Sequence, residues 1–104
     1  PEQMLADPDA GERLADVLAE WAAYDPATVV GPMLVVQGEA DDSVLPPLTA
    51  QLVDDLCAHR RPIEYRTYAG AGHDEVMAAS SADAAAWMAA RMAGEPAPTT
   101  CSGA

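Results

Sequence analysis

The sequence MLVVQGEADDSVLPP at residues 33–47 begins with a run, residues 33–37, that is apolar until its last residue, Gln37, and then turns at Gly38 into a polar segment. Continuous apolarity is typical of a parallel strand that is covered on both faces. A helix is predicted next from the apolar residues Leu48, Leu52, Val53 and Leu56, and a second strand from the alternation over residues 63–68. A strand, a helix and a strand in this order form a right-handed parallel crossover. The sequence therefore predicts two parallel strands, at residues 33–37 and 63–68.

A carboxylate and an imidazole follow these strands. Asp41 comes three residues after Gly38, and His73 follows the turn Gly70-Ala71-Gly72. Both are expected at the carboxyl edge of the sheet, where open α/β sheets place their sites. A serine nucleophile needs an imidazole base, and that base needs an anion that fixes its tautomer. We predict Asp41 as the acid and His73 as the base of such a triad.

Alternatives to these assignments stay open. Asp42 could take the role of the acid if the turn is bulged, and Asp41 could be an ordinary turn residue. His73 could be a loop histidine that has only structural partners. His59, at the predicted end of a helix, is interpreted as a surface residue whose charge favours the helix dipole.

The nucleophile of the triad is missing. The turn Gly-x-Ser-x-Gly does not occur, and the serines are Ser43, Ser80, Ser81 and Ser102. Cys57 falls within a predicted helix and is a poor substitute. We expect no esterase turnover from this chain alone.

The alternative to a hydrolase is a catalytically silent α/β module that binds a partner, or a second copy of itself, through the exposed edge of strand 33–37.

Composition excludes several functions. The net charge is −12 and the only basic residues besides histidine are five arginines, so the surface repels nucleic-acid phosphates and anionic lipids. No apolar run approaches the length of a membrane span. No motif for a metal or a cofactor is present, and no metal or cofactor is expected.

The two cysteines, Cys57 and Cys101, could form a disulfide in an oxidising compartment or be two unrelated buried thiols.

The remaining segments complete a helix–strand–helix–strand–helix order. Residues 1–31 are predicted as an N-terminal helical segment, whose helix begins at Asp7-Pro8. One side of this helix carries the apolar stripe Leu14, Val17, Leu18 and Trp21, and Trp21 is expected in the core. Residues 32–94 are predicted as the strand–helix–strand–helix part, and residues 95–104 as a tail that only Cys101 could order. After the second strand we expect a short helical turn over residues 74–79 and a last helix capped by Ser80 or Ser81.

Several stretches resemble the C-terminal part of α/β-hydrolases, and most closely the secretory lipase family. They are residues 32–36, 38–41, 44–49, 68–73, 87–91 and 94–98, followed by Cys101. The resemblance implies a partial α/β-hydrolase fold containing the last two strands of the sheet, with everything before the sixth strand missing. It implies that Asp41 and His73 are triad residues and that Cys57 and Cys101 form a disulfide of a secreted enzyme.

The reaction implied by this resemblance is the hydrolysis of carboxylic esters, lipids among them, through an acyl-serine and without a cofactor. Dienelactone hydrolases, acetylxylan esterases and prolyl-peptidase-like enzymes have similar C-terminal ends.

Overall fold

The computed structural model describes residues 8–22 and 25–102 of the chain. Its elements are α1 (Ala10–Ala22), a 3-10 turn (Pro26–Thr28), β1 (Met33–Gly38), α2 (Pro46–Ala58), β2 (Ile63–Tyr68) and α3 (Glu75–Met92). The predicted order of helices and strands is confirmed, and the chain has a partial α/β fold. None of the described helices combines the length and the apolar character that a membrane crossing requires.

The two strands form a parallel sheet in which Met33 lies opposite Ile63 and Gly38 lies opposite Tyr68. The first strand extends one residue beyond the predicted end, to Gly38. Helix α2, which connects the strands, begins with two prolines, where a missing N–H costs nothing. Since the strands are parallel, the loops after Gly38 and after Tyr68 leave the sheet at the same edge.

Helices cover both faces of this sheet. On one face, Val53 and Leu56 of α2 pack against Ile63, which is fully buried, with Met33 and Val35 partly buried around them. On the other face, the Tyr68 hydroxyl donates a hydrogen bond of 2.7 Å to the carboxylate of Asp83 on α3. Successive strand residues point to opposite faces, so residues 63 and 68 must contact different helices. Both α2 and α3 also contact β1, in agreement with the prediction that the first strand is covered on both faces.

The two outer edges of the sheet differ. Along β2, the Thr100 N–H donates to the Ile63 carbonyl at 2.8 Å, and the Tyr65 N–H donates to the Thr100 hydroxyl at 2.9 Å. The neighbouring Cys101 is joined to Cys57 by a disulfide, which the sequence resemblance implied. Along β1, no strand of the described part of the chain pairs with the outer edge.

Two helical predictions fail at the N-terminal side. Helix α1 begins at Ala10, after a turn at residues 8–9, and Asp7 lies outside the described residues. Trp21 is 81% exposed rather than in the core, and the other residues of its stripe (Leu14, Val17 and Leu18) are exposed too. The periodic pattern correctly gave the apolar side of the helix, but none of the described residues covers that side.

The last helix is also longer than predicted. Residues 75–92 form one continuous helix, with Ser80 buried in its interior rather than capping its start. The Ser81 hydroxyl donates to the Ala78 carbonyl at 3.1 Å, within the same helix. Alanine has the highest helix propensity, and this segment is rich in it, so two serines do not interrupt the helix.

Candidate active site

The loops that follow the two strands are joined by backbone hydrogen bonds. The Glu39 N–H donates to the Tyr68 carbonyl, and the Ala40 N–H donates to the Ala71 carbonyl, both at 3.0 Å. Gly38 makes this close approach feasible, because a Cβ there would lie 2.9 Å from the Gly72 carbonyl oxygen and nearer still to that of Ala71. The sequence therefore brings the segment before Asp41 and the segment before His73 into direct contact.

Asp41 is held at both oxygens of its carboxylate. The residue is 7% exposed, and its Oδ1 accepts hydrogen bonds from the N–H groups of Ser43 at 2.9 Å and Val44 at 2.8 Å. Its Oδ2 lies 3.0 Å from Nδ1 of His73. Burial alone would raise the pKa of this carboxyl, but the hydrogen bonds from Val44, His73 and Ser43 outweigh it. The pKa of Asp41 is consequently lowered, and the group is an anion at neutral pH.

His73 points its Nδ1 at this anion, and its side chain is 52% exposed. The hydrogen bond to Asp41 and the negative charge of Asp41 raise the pKa of the imidazole, and partial burial lowers it. The nearby charges of Asp74 and Asp42 raise this pKa further. A carboxylate can only accept, so the neutral imidazole carries its proton on Nδ1. This tautomer leaves the lone pair on Nε2, as a general base requires.

The other candidates fall elsewhere. Asp42 is exposed, and it is Asp41 whose carboxylate bonds to His73. His59 is exposed at the end of α2, with Nδ1 2.8 Å from the Asp55 carbonyl oxygen. Within the described residues, no serine hydroxyl hydrogen-bonds to His73, and no three side chains of His, Cys, Asp or Glu are placed to hold a metal ion. Asp41 and His73 are therefore the candidate acid–base pair among the described residues.

A cavity of about 330 Å³ adjoins this pair, and its apolar lining comes from Val36, Val44, Val76 and Met77. A larger one, of about 530 Å³, lies beside the disulfide and is lined in part by Arg60 and Arg61. The smaller cavity is the candidate site, since it alone contains the carboxylate and the imidazole whose pKa values are displaced.

Sequence reasoning missed two buried polar residues of the smaller cavity. Gln37 is 4% exposed and Thr49 is 8% exposed, and the Thr49 hydroxyl donates to Oε1 of Gln37. The available signal was a single glutamine at the end of an otherwise apolar strand. Because a buried amide must find partners, that residue could have been marked as part of a polar network.

Comparison with known proteins places the chain among the α/β-hydrolases. The sequence model of the prolyl oligopeptidase family matches residues 2–94, a range that includes both strands, Asp41 and His73. No curated protein and no solved structure gives a significant match. The match confirms the predicted superfamily, but the matching family is not the secretory lipase family that the sequence resembled.

Proposed function

The chain belongs to the prolyl oligopeptidase family of α/β-hydrolases, and we propose that it provides the acid and the base of a serine hydrolase. The observation that carries the proposal is the contact of 3.0 Å between Asp41 Oδ2 and His73 Nδ1, with the other carboxylate oxygen fixed by two backbone N–H groups. The serine would be contributed by a segment of the complete enzyme outside these 104 residues.

In this proposal His73 moves the proton. Its Nε2 takes the proton of the serine hydroxyl as the serine oxygen attacks the substrate carbonyl, and the imidazolium is stabilised by Asp41. The same nitrogen then protonates the leaving group, whose bond to the acyl carbon breaks. Water then attacks the acyl carbon of the acyl-serine and gives a proton to His73 Nε2. The bond between the acyl carbon and the serine oxygen breaks, His73 returns the proton to that oxygen, and the carboxylic acid is released. The chemistry needs no cofactor.

Two kinds of scissile bond are supported. The sequence resemblance to secretory lipases supports a carboxylic ester, and the name of the matching family supports a peptide bond. Both are cleaved by acyl transfer to serine, so the Asp41–His73 pair serves either. Parallel assays of the complete enzyme with p-nitrophenyl esters and with prolyl peptide anilides decide between them, with His73→Ala as the inactive control.

The acid–base pair is tested on the chain itself. The imidazole of His73 is titrated by NMR in the wild type and in Asp41→Asn. We expect the substitution to lower the pKa of His73, because it removes the hydrogen-bonded negative charge. Identical titrations would contradict the proposal. The 104-residue chain should also show no hydrolysis of p-nitrophenyl esters, and inhibitor-sensitive, serine-dependent turnover would contradict the absence of a nucleophile.

We also propose that the enzyme is secreted. The disulfide between Cys57 and Cys101 supports this, because such bonds persist mainly in oxidising compartments. Fractionation of the native host into cells and medium tests it, and the protein is expected in the medium with Cys57 and Cys101 oxidised. Recovery only from the reducing cytosol would contradict the proposal.

A non-catalytic binding module is the second candidate. The observation in its favour is the outer edge of β1, which pairs with no strand in the described ranges and can accept one from a partner or from a second copy. Analytical ultracentrifugation over a range of concentrations tests self-association. A monomer throughout would exclude pairing between copies, and an unaltered titration in Asp41→Asn would favour the module over the enzyme.

A further inference from the structure

Gln37 connects three parts of the candidate site. It lies next to the end of β1, and its Nε2 donates to the carbonyls of Val44 and Gly38, both at 3.0 Å. Its Oε1 accepts from the hydroxyl of Thr49, in the first turns of α2. All the polar atoms of the amide are thus engaged in a position that is 4% exposed, where an unmet hydrogen bond is costly.

Val44 is the residue through which this amide reaches the acid. Its carbonyl is held by Gln37, while its N–H donates to Asp41 Oδ1 at 2.8 Å. The other oxygen of that carboxylate contacts His73. A continuous set of hydrogen bonds therefore runs from Thr49 through Gln37, Val44 and Asp41 to the imidazole.

We propose that Gln37, oriented by Thr49, is a positioning residue that holds the loop of residues 41–44 so that the Asp41 carboxylate faces His73. The inference rests on the proposed function, since it assigns a role within the same acid–base pair. Gln37 touches neither the imidazole nor a substrate, and it acts through Val44.

The orientation of the amide follows from its neighbours. Two carbonyl oxygens lie on one side and can only accept, so the NH₂ group must face them. The Thr49 hydroxyl then donates to the remaining oxygen. Methionine at position 37 would fill similar space without a donor, and valine at position 49 would keep the shape of threonine without its hydroxyl.

The experiment compares four variants of the chain with the wild type: Gln37→Met, Thr49→Val, Thr49→Ser and Asp41→Asn. The NMR titration of His73 is recorded for each, with far-UV circular dichroism as the check on folding. The charged groups around the imidazole are Asp41, Asp42 and Asp74, and the substitutions at positions 37 and 49 leave all three in place. A change in titration at constant charge therefore reports on the geometry of the pair.

We expect Gln37→Met and Thr49→Val to move the His73 titration from that of the wild type toward that of Asp41→Asn. Thr49→Ser, which keeps the hydroxyl, should titrate as the wild type. If Gln37→Met does not fold, the isosteric Thr49→Val decides the question. A folded Thr49→Val that titrates as the wild type overturns the positioning role, even if its stability is reduced. If Asp41→Asn itself changes nothing, the acid–base pair and the proposed function fail instead.

Discussion

Reduction of the disulfide is expected to remove a large part of the stability of this chain. Cys57 and Cys101 are separated by 44 positions, and closing a loop of that length stabilises a fold by about 4 kcal/mol in the chain-entropy treatment. Small domains have about 5–15 kcal/mol in total. The largest fully buried side chains of the described residues are only two, Leu56 and Ile63, so the core offers little to replace the lost constraint.

Urea denaturation followed by circular dichroism, with and without a phosphine reductant, measures this effect. For an m-value of about 1–2 kcal/mol per molar, the loss corresponds to a midpoint lower by about 2–4 M. The double variant Cys57→Ala/Cys101→Ala should have the urea midpoint of the reduced wild type, and the reductant should not change that midpoint. Equal midpoints for the oxidised and reduced wild type, with the bond verified by mass spectrometry in the first sample, would refute the reasoning.

Three further perturbations have defined outcomes. Gly38→Ala should destabilise by about 2 kcal/mol, since the added Cβ meets backbone carbonyls that cannot move aside, and it should disturb the His73 titration as well. Leu56→Ala should cost about 3 kcal/mol in urea denaturation, against less than about 0.5 kcal/mol for Leu48→Ala on the exposed side of the same helix. The urea midpoint should depend on pH on two sides. Because the pKa of Asp41 is lowered in the folded chain, this carboxylate stabilises the fold above its ordinary pKa of 3.8, and that stability is lost as the pH falls through the lowered pKa. Because the pKa of His73 is raised, the imidazolium stabilises the fold below its ordinary pKa of 6.5, and that stability is lost as the pH rises through the raised pKa.

Each of these has a control and a contrary result. Gly11→Ala, where an added Cβ meets nothing, should stabilise α1 slightly, and an equal loss from Gly11→Ala and Gly38→Ala would contradict the steric argument. Similar costs for Leu56→Ala and Leu48→Ala would show that the assigned core is wrong. Asp41→Asn should flatten both sides of the pH profile, and an unchanged profile would mean that the pair does not stabilise the fold.

The sheet was predictable because both strands have local signatures. The apolar run at residues 33–36 and the alternating pattern at residues 63–68 each predict a strand, and the intervening helix predicts that the strands are parallel. Parallel strands bring Asp41 and His73 to one edge whatever the details of packing. The spacing from Gly38 favoured Asp41 over Asp42 but left both open, because the choice depends on which carboxylate receives the N–H groups of Ser43 and Val44 in the folded turn.

The features that sequence reasoning missed depend on neighbours distant in sequence. The stripe containing Trp21 shows which side of α1 is apolar, but no local pattern says whether another element will cover that side. Ser80 has the chemistry of a helix cap, yet it lies buried in the interior of α3 because the helix continues past it. Gln37 acquires its partners at Val44 and Thr49 only after the loop and α2 have folded back over the strand.

The segment around Thr100, which lies along β2 next to the disulfide, makes the two edges of the sheet unequal as sites for adding a further strand. A strand that approached β2 would have to displace Thr100, which is held next to a covalent crosslink, whereas a strand that approached β1 would displace nothing in the described part of the chain. In the proposed binding module, a partner strand would therefore pair with β1, the strand that leads into Asp41. If that partner strand aligned in parallel with β1, its carboxyl end would lie beside Asp41, on the same edge of the sheet as His73.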